Sequence, residues 1–283
     1  MYLSKLKIKN LGLLKNVSLN FKTGFNVIFG DNASGKTTLL FNILDNLENF
    51  KKIQFYGRSY LDIKRGSYYL RSFDSNSEFY SELEVIDNEK VIRTNNKSKI
   101  IEIIDNEKLI RVNDRSKLLD ELNNQKIILF DCNRNILLKR VGLYTNKIKK
   151  AYVIVMNSWL NQLKKYNNEI SIIEEEIKFS HRIFDSHDDF IVSLFFTYIF
   201  EMKYLKTAKI LIADGNISEI STELLIEIFN VTKELVSDLQ IIITANNRIY
   251  SVINEFPIFN FMQLKRISKE ETIIISPIGW YRI

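Results

Sequence analysis

The chain has 283 residues, 46% of them hydrophobic, enough to bury one substantial core or a core with a small subdomain. A single cysteine, Cys132, excludes an internal disulfide, and with two histidines, His181 and His187, a Cys/His zinc cluster is close to excluded. The net charge of +6 and pI near 9.1 suit an anionic partner, yet over this length they are mild, and a lysine-rich solvated surface accounts for them more simply.

The opening MYLSKLKIKN mixes lysines among its apolar residues and lacks the uninterrupted apolar segment of a secretory leader. The longest apolar region, Phe190 to Phe200, is too short to span a bilayer. The expectation is therefore a cytoplasmic protein without a membrane span. Alternation in Leu3-Ser4-Lys5-Leu6-Lys7-Ile8 and in Val17-Ser18-Leu19-Asn20-Phe21 predicts two strands, and the apolar run Phe25 to Phe29 a third. After GDNASGKTT, residues Leu39, Leu40, Ile43, Leu44 and Leu47 recur at helical spacing.

From Lys52 to about Val112 the chain changes to short alternating runs, IQFYGRSY, GSYYLRSF, EFYSELEVI, KVIRT and KLIRV, which predict an antiparallel meander with one wet face. Lys126 to Asp131 reads as a strand, and the stretch from Thr145 to Lys178 as helical, with Tyr152, Val155, Trp159 and Leu163 on one side. The last hundred residues alternate: a helix Asp189 to Lys206, apolar nearly all round; a strand Lys209 to Asp214; a helix Ser221 to Ser237; a strand Gln240 to Thr244; and closing strands near Ile258 and Ile273. Short apolar strands alternating with helices predict an α/β fold with a parallel sheet covered on both faces. No Pro-, Gly- or Ser-rich linker interrupts the chain. The expected organisation is one unit, with a lobe over 1–131, a helical region over 132–207 and a second lobe over 208–283.

Gly30-Asp31-Asn32-Ala33-Ser34-Gly35-Lys36-Thr37, followed by Thr38, fits G-x-x-x-x-G-K-[ST] at every fixed position. Glycines at these places let the backbone wrap so that successive N–H groups face phosphate oxygens, and the helix that follows adds its positive dipole end. Lys36 is placed to contact the β and γ phosphates, and the Thr37 hydroxyl to enter a Mg²⁺ shell. Because a strand precedes this loop and a helix follows it, the match is more than a chance glycine turn.

The segment from Lys7-Ile8-Lys9-Asn10-Leu11 through Phe25-Asn26-Val27-Ile28-Phe29 to Thr37 resembles the opening of ABC-type ATPase heads of the SMC/RecF/OLD group. The resemblance is specific over about the first forty residues. It implies a P-loop NTPase fold with a mixed central sheet, an antiparallel β subdomain and a helical insertion. It also implies ATP and Mg²⁺ as ligands, and heads that pair, as homodimer or heterodimer, by sandwiching ATP between them. Within that pattern Asp214, at the end of an apolar strand and before the strand Ile241 to Thr244, corresponds to the Walker B carboxylate that holds Mg²⁺ with Thr37.

The rest of the pattern is worn. Gly215 stands where the group carries a water-activating glutamate, and a glycine can neither accept a proton nor polarise water. The strand end that usually bears a histidine reads Thr244-Ala245-Asn246-Asn247. The signature loop corresponds to Asp185-Ser186-His187-Asp188-Asp189, which lacks both glycines and is explained more simply as a capping box, with Ser186 as N-cap and Asp189 at the third helical position. The glutamine that follows the first lobe in the group has no clean counterpart; Asp131 or Asn133 occupies a comparable strand end. Nucleotide binding with weak or absent hydrolysis is the first reading. An active ATPase using Glu219 as its base, or a base supplied by a partner, is the alternative, and a transporter subunit a third. Two clusters of basic residues suit nucleic-acid phosphates: Lys51, Lys52, Arg58, Lys64, Arg65 and Arg71 among tyrosines, and Lys139, Arg140, Lys147, Lys149 and Lys150. Solvated faces explain both more simply.

Overall fold

The computed structural model describes residues 1–47, 53–55, 80–87, 89–95, 101–105, 108–112, 126–130, 141–164, 170–173, 176–179, 187–214, 220–269 and 271–275. Strands β1 (Tyr2–Leu11) and β2 (Leu14–Asn20) form an antiparallel pair, and β3 (Gly24–Gly30) leads into the first helix, α1 (Lys36–Leu47). Then come β4 (Ile53–Phe55), β5 (Tyr80–Asp87), β6 (Lys90–Asn95), β7 (Ile101–Asp105), β8 (Lys108–Val112) and β9 (Lys126–Phe130). Helix α2 (Asn146–Leu160), the pair β10 (Ile170–Ile173) and β11 (Glu176–Phe179), and helix α3 (His187–Lys203) follow. The chain continues through β12 (Ala208–Ala213), α4 (Thr222–Thr232), β13 (Gln240–Ala245), a short helical segment over 247–253, β14 (Asn260–Arg266) and β15 (Thr272–Ile275).

Two sheets dominate. The first is antiparallel, in the order β2-β1-β5-β6-β7-β8; the second runs β15-β14-β3-β13-β12-β9-β4, parallel except for β15. The parallel strands are apolar on both faces because both faces are covered. Along β3, Phe25, Val27 and Phe29 point into a core shared with α2, α3 and α4, while Ile28 joins a second core with α1 and the antiparallel sheet. In β12 and β13, Leu211, Ala213, Ile241 and Ile243 face the helices, and Ile210, Ile212 and Ile242 face the other way. Period-two alternation thus feeds two cores from one sheet.

Helix α3 lies within the first core with every residue from Phe190 to Phe200 buried, Ser193 and Thr197 included, which is why its apolar character runs round the whole helix. Phe25 packs at a tilt against Phe229 and Phe259, with ring centroids 5.0 and 4.6 Å away. Each such ring contributes about 1.5–3 kcal/mol by leaving water.

Polar side chains join the sheets. Gln240, fully buried at the start of β13, accepts from the Leu3 backbone N–H at 2.8 Å and donates to the Leu3 and Lys22 carbonyls at 2.8 and 2.9 Å. Leu3 borders the irregularity in the β1–β5 pairing, so the side chain satisfies backbone groups next to that break in the ladder.

Two expectations from sequence are corrected. The helix expected to run to Lys178 ends at Leu160, and Ile170–Ile173 pairs antiparallel with Glu176–Phe179. There the apolar residues recur every second position, Ile170 and Ile172 on one strand, Ile177 and Phe179 on the other, which is strand spacing. Of the run beginning IQF, the described residues Ile53–Phe55 are not in the meander but lie parallel to β9 at the edge of the central sheet. The run GSYYLRSF lies outside the described residues.

Candidate nucleotide-binding site

The parallel order β3-β13-β12 sets the carboxyl ends of three strands side by side, with Phe29 opposite Ala245 and Ala213 opposite Ile243. Ligands of open α/β sheets gather outside this edge. The loop that leaves β3 there is tightly enclosed. A Cβ on Gly30 would come within 2.2 Å of the Leu264 carbonyl oxygen of β14, so only glycine fits. Gly35, at φ +95°, brings its Cα against Leu14, whose Cδ2 would lie 3.1 Å from an added Cβ. Between them Ala33 adopts the left-handed region at φ 58°, uncommon for a side chain with a Cβ and the kind of strain that collects at functional loops. The Ser34 hydroxyl is buried within the loop and has no hydrogen-bond partner among the described residues.

Lys36 opens α1 and folds its ammonium back onto the loop, donating to the carbonyls of Gly30 at 2.9 Å and Asp31 at 2.7 Å. Partial burial lowers its pKa, opposed by the negative charges of Asp214 and Asp31. Thr37, one residue on, donates its hydroxyl to Asp214 Oδ2 at 3.0 Å across 177 positions of sequence. Asp214 follows β12, and on its other oxygen, Oδ1, it accepts the Thr244 hydroxyl of β13 at 2.6 Å. Gly30 to Thr38 and Asp214 therefore converge on one point.

Sequence reasoning did not single out Thr244 or Asn247. Thr244 was legible only as the last residue of an apolar strand, and its neighbourhood with Asp214 comes from the strand register. Asn246 spends its side-chain oxygen on the Arg248 N–H at 2.9 Å, capping the turn that follows, and it is Asn247 that reaches the phosphate-type loop, donating to Asp31. Glu219, Gly215, Asp131, Asn133, Asp185 and Ser186 lie outside the described residues, as do Lys51, Lys52, Arg58, Lys64, Arg65, Arg71, Lys139 and Arg140. Asp188 and Asp189 stand in the first turn of α3, half-buried. In the second basic cluster Lys147 and Lys150 are exposed, but Lys149 turns inward.

The donor set fits a polyphosphate with a hard cation. Hydroxyl and carboxylate oxygens meet at Thr37 and Asp214, and Mg²⁺ takes oxygen ligands, commonly one or two from protein and the rest from phosphate and water. Among the described residues no group of three His, Cys, Asp or Glu side chains could hold a metal alone, so a cation here would need oxygens from its ligand. A half-buried ammonium that donates to two backbone carbonyls, beside a buried hydroxyl with no partner among the described residues, fits an anionic guest.

No protein-family model and no curated protein matches the sequence. Solved structures do. The chain is similar to the SMC head domain from Thermotoga maritima, with a TM-score of 0.61 and 16% identity over 98% of this chain and 99% of that one. It is similar also to an SmcHead bound to the C-winged helix domain of ScpA, at 0.63 and 15% over 99% of each. A third is the Smc head domain with an extended coiled coil bound to the C-terminal domain of ScpA derived from Pyrococcus furiosus, at 0.54 and 12% over 98% and 97%. The fold is that of the SMC head domains.

Proposed function

We propose that this chain binds ATP with Mg²⁺ and that nucleotide occupancy governs its association with a second copy or a partner head, with slow or no turnover by this chain alone. The observation that supports the reading most is the hydrogen bond between Thr37 and Asp214, which joins the two halves of the sequence at the mouth of the glycine loop. Lys36 would exchange its two carbonyl partners for phosphate oxygens. The loop from Gly30 to Thr38 would hold the phosphates with backbone N–H groups, Thr37 and Asp214 would hold Mg²⁺, and the cation would neutralise charge on the β and γ phosphates. Asp214 accepts a hydrogen bond on each oxygen, which fixes its carboxylate and suits a positioning role.

Control of association is supported by analogy with the SMC fold, two of whose solved members are heads bound to a domain of ScpA. A role in nucleic-acid maintenance or in mobile-element defence is inferred from the same analogy, since a fold does not fix a function.

The test is titration with a fluorescent ATP analogue and Mg²⁺, with sedimentation of the same samples. Wild type should bind and Lys36→Ala should lose at least about tenfold in affinity, with a larger sedimenting species when a non-hydrolysable analogue is present. An empty wild-type protein would remove the whole reading. Turnover of several per second, abolished by Glu219→Gln, would instead make the chain a competent ATPase.

A further inference from the structure

We propose that Thr244 is a positioning residue for the cation, holding the Asp214 carboxylate so that Oδ2 is turned to Thr37. This rests on the nucleotide-binding reading given above.

Asp214 follows the last residue of β12, and a carboxylate there is free to rotate about both side-chain torsions unless something holds it. The parallel register sets Ala213 beside Ile243, which carries Asp214 alongside Thr244. Thr244 is 1% exposed, and as a β-branched residue in a strand its χ1 is stiff, so the hydroxyl is delivered in one direction. It meets Oδ1 at 2.6 Å, within the short range of an O–H donor on an ionised carboxylate. Thr37 meets the opposite oxygen at 3.0 Å.

The two hydroxyls differ in what they can do next. Thr37 is exposed at the loop, and its oxygen retains lone pairs for a cation while its proton stays on Oδ2. Thr244 is buried and spends its proton on Oδ1, so its contribution to the carboxylate is orientation. Without it, Oδ1 would lose its partner and the carboxylate would sample rotamers in which neither oxygen faces Thr37. Affinity for nucleotide should then fall only where the cation contributes.

The experiment measures binding of a fluorescent ATP analogue in excess Mg²⁺ and in EDTA, for wild type, Thr244→Val, Thr244→Ala and Thr244→Ser. Thr244→Val keeps the shape and removes the hydroxyl; should it fail to fold, Ala against Ser isolates the same oxygen. Removal of the hydroxyl should weaken Mg²⁺-supported binding about tenfold, leave binding in EDTA within about twofold, and be rescued by Ser to within about threefold. Unchanged Mg²⁺-supported binding in the hydroxyl-free variants overturns the proposal. So does an equal loss with and without Mg²⁺, which would make Thr244 a packing residue only. Wild type that binds in neither condition would instead sink the nucleotide reading on which this one stands.

Discussion

Asn247 donates its side-chain N–H to the carboxylate of Asp31, 216 positions earlier, tying the segment after β13 to the glycine loop. Asp31 is exposed, so the pair is partly screened, but its geometry links two elements that approach the same ligand edge. Asp31→Ala and Asn247→Ala should be non-additive, with a coupling energy of about 1 kcal/mol in urea denaturation of the four proteins of a double-mutant cycle. Additive effects would mean that the contact carries no energy.

Gly30→Ala should be among the most damaging single changes. The added methyl would stand 2.2 Å from a backbone carbonyl of β14, and a strand that is hydrogen-bonded to β3 cannot yield easily. A loss of about 3 kcal/mol is expected, read as a lower urea midpoint. Gly12→Ala is the control: it has a positive φ but nothing within 4 Å, so it should cost only about 1 kcal/mol of backbone strain.

Gln240→Leu keeps the bulk of a fully buried residue while leaving the Leu3 N–H and the Leu3 and Lys22 carbonyls without their partner. The expected cost is about 2–3 kcal/mol, from unsatisfied buried backbone groups and not from lost volume. It should appear as a reduced urea midpoint with an unchanged slope.

Glu82 sits on the wet face of the antiparallel sheet. Partial burial pushes its pKa up, but hydrogen bonds from Tyr80 and Lys7, with the charges of Lys7 and Arg93, outweigh this and hold it below its ordinary 4.5. A carboxylate whose folded pKa is depressed adds stability that is present above its unfolded pKa and lost as pH falls through the folded one. Glu82→Gln should therefore destabilise at pH 7, and the gap to wild type should close as pH drops below about 4.5. A gap that stays constant down to pH 3 would contradict the assignment. Tyr80, pushed up to about 12 by its burial and by Glu82, should stay protonated through this range.

Much of this protein was legible along the chain, because strand and helix periods are local properties. The run Phe25 to Phe29, the glycine spacing up to Lys36 and the helical leucines after it mark a strand, a phosphate-type loop and a helix without reference to any other part of the molecule. Asp214 was legible because a carboxylate closes an apolar strand that lies between two helices. The pair Ile170–Ile173 and Glu176–Phe179 was misread as helix since the alternation is only four residues long on each strand and its state is decided by what it pairs with.

What only the tertiary structure decided is which distant residues meet. Ile53–Phe55 could join either sheet by its own alternation, and pairing with β9 assigns it to the central one. Thr244 and Asn247 carry no spacing that marks them; strand order and register bring one to Asp214 and the segment beyond β13 brings the other to Asp31. A hydroxyl or an amide has the same covalent character at any strand end, and its role comes from the partner that a neighbouring strand places within 3 Å.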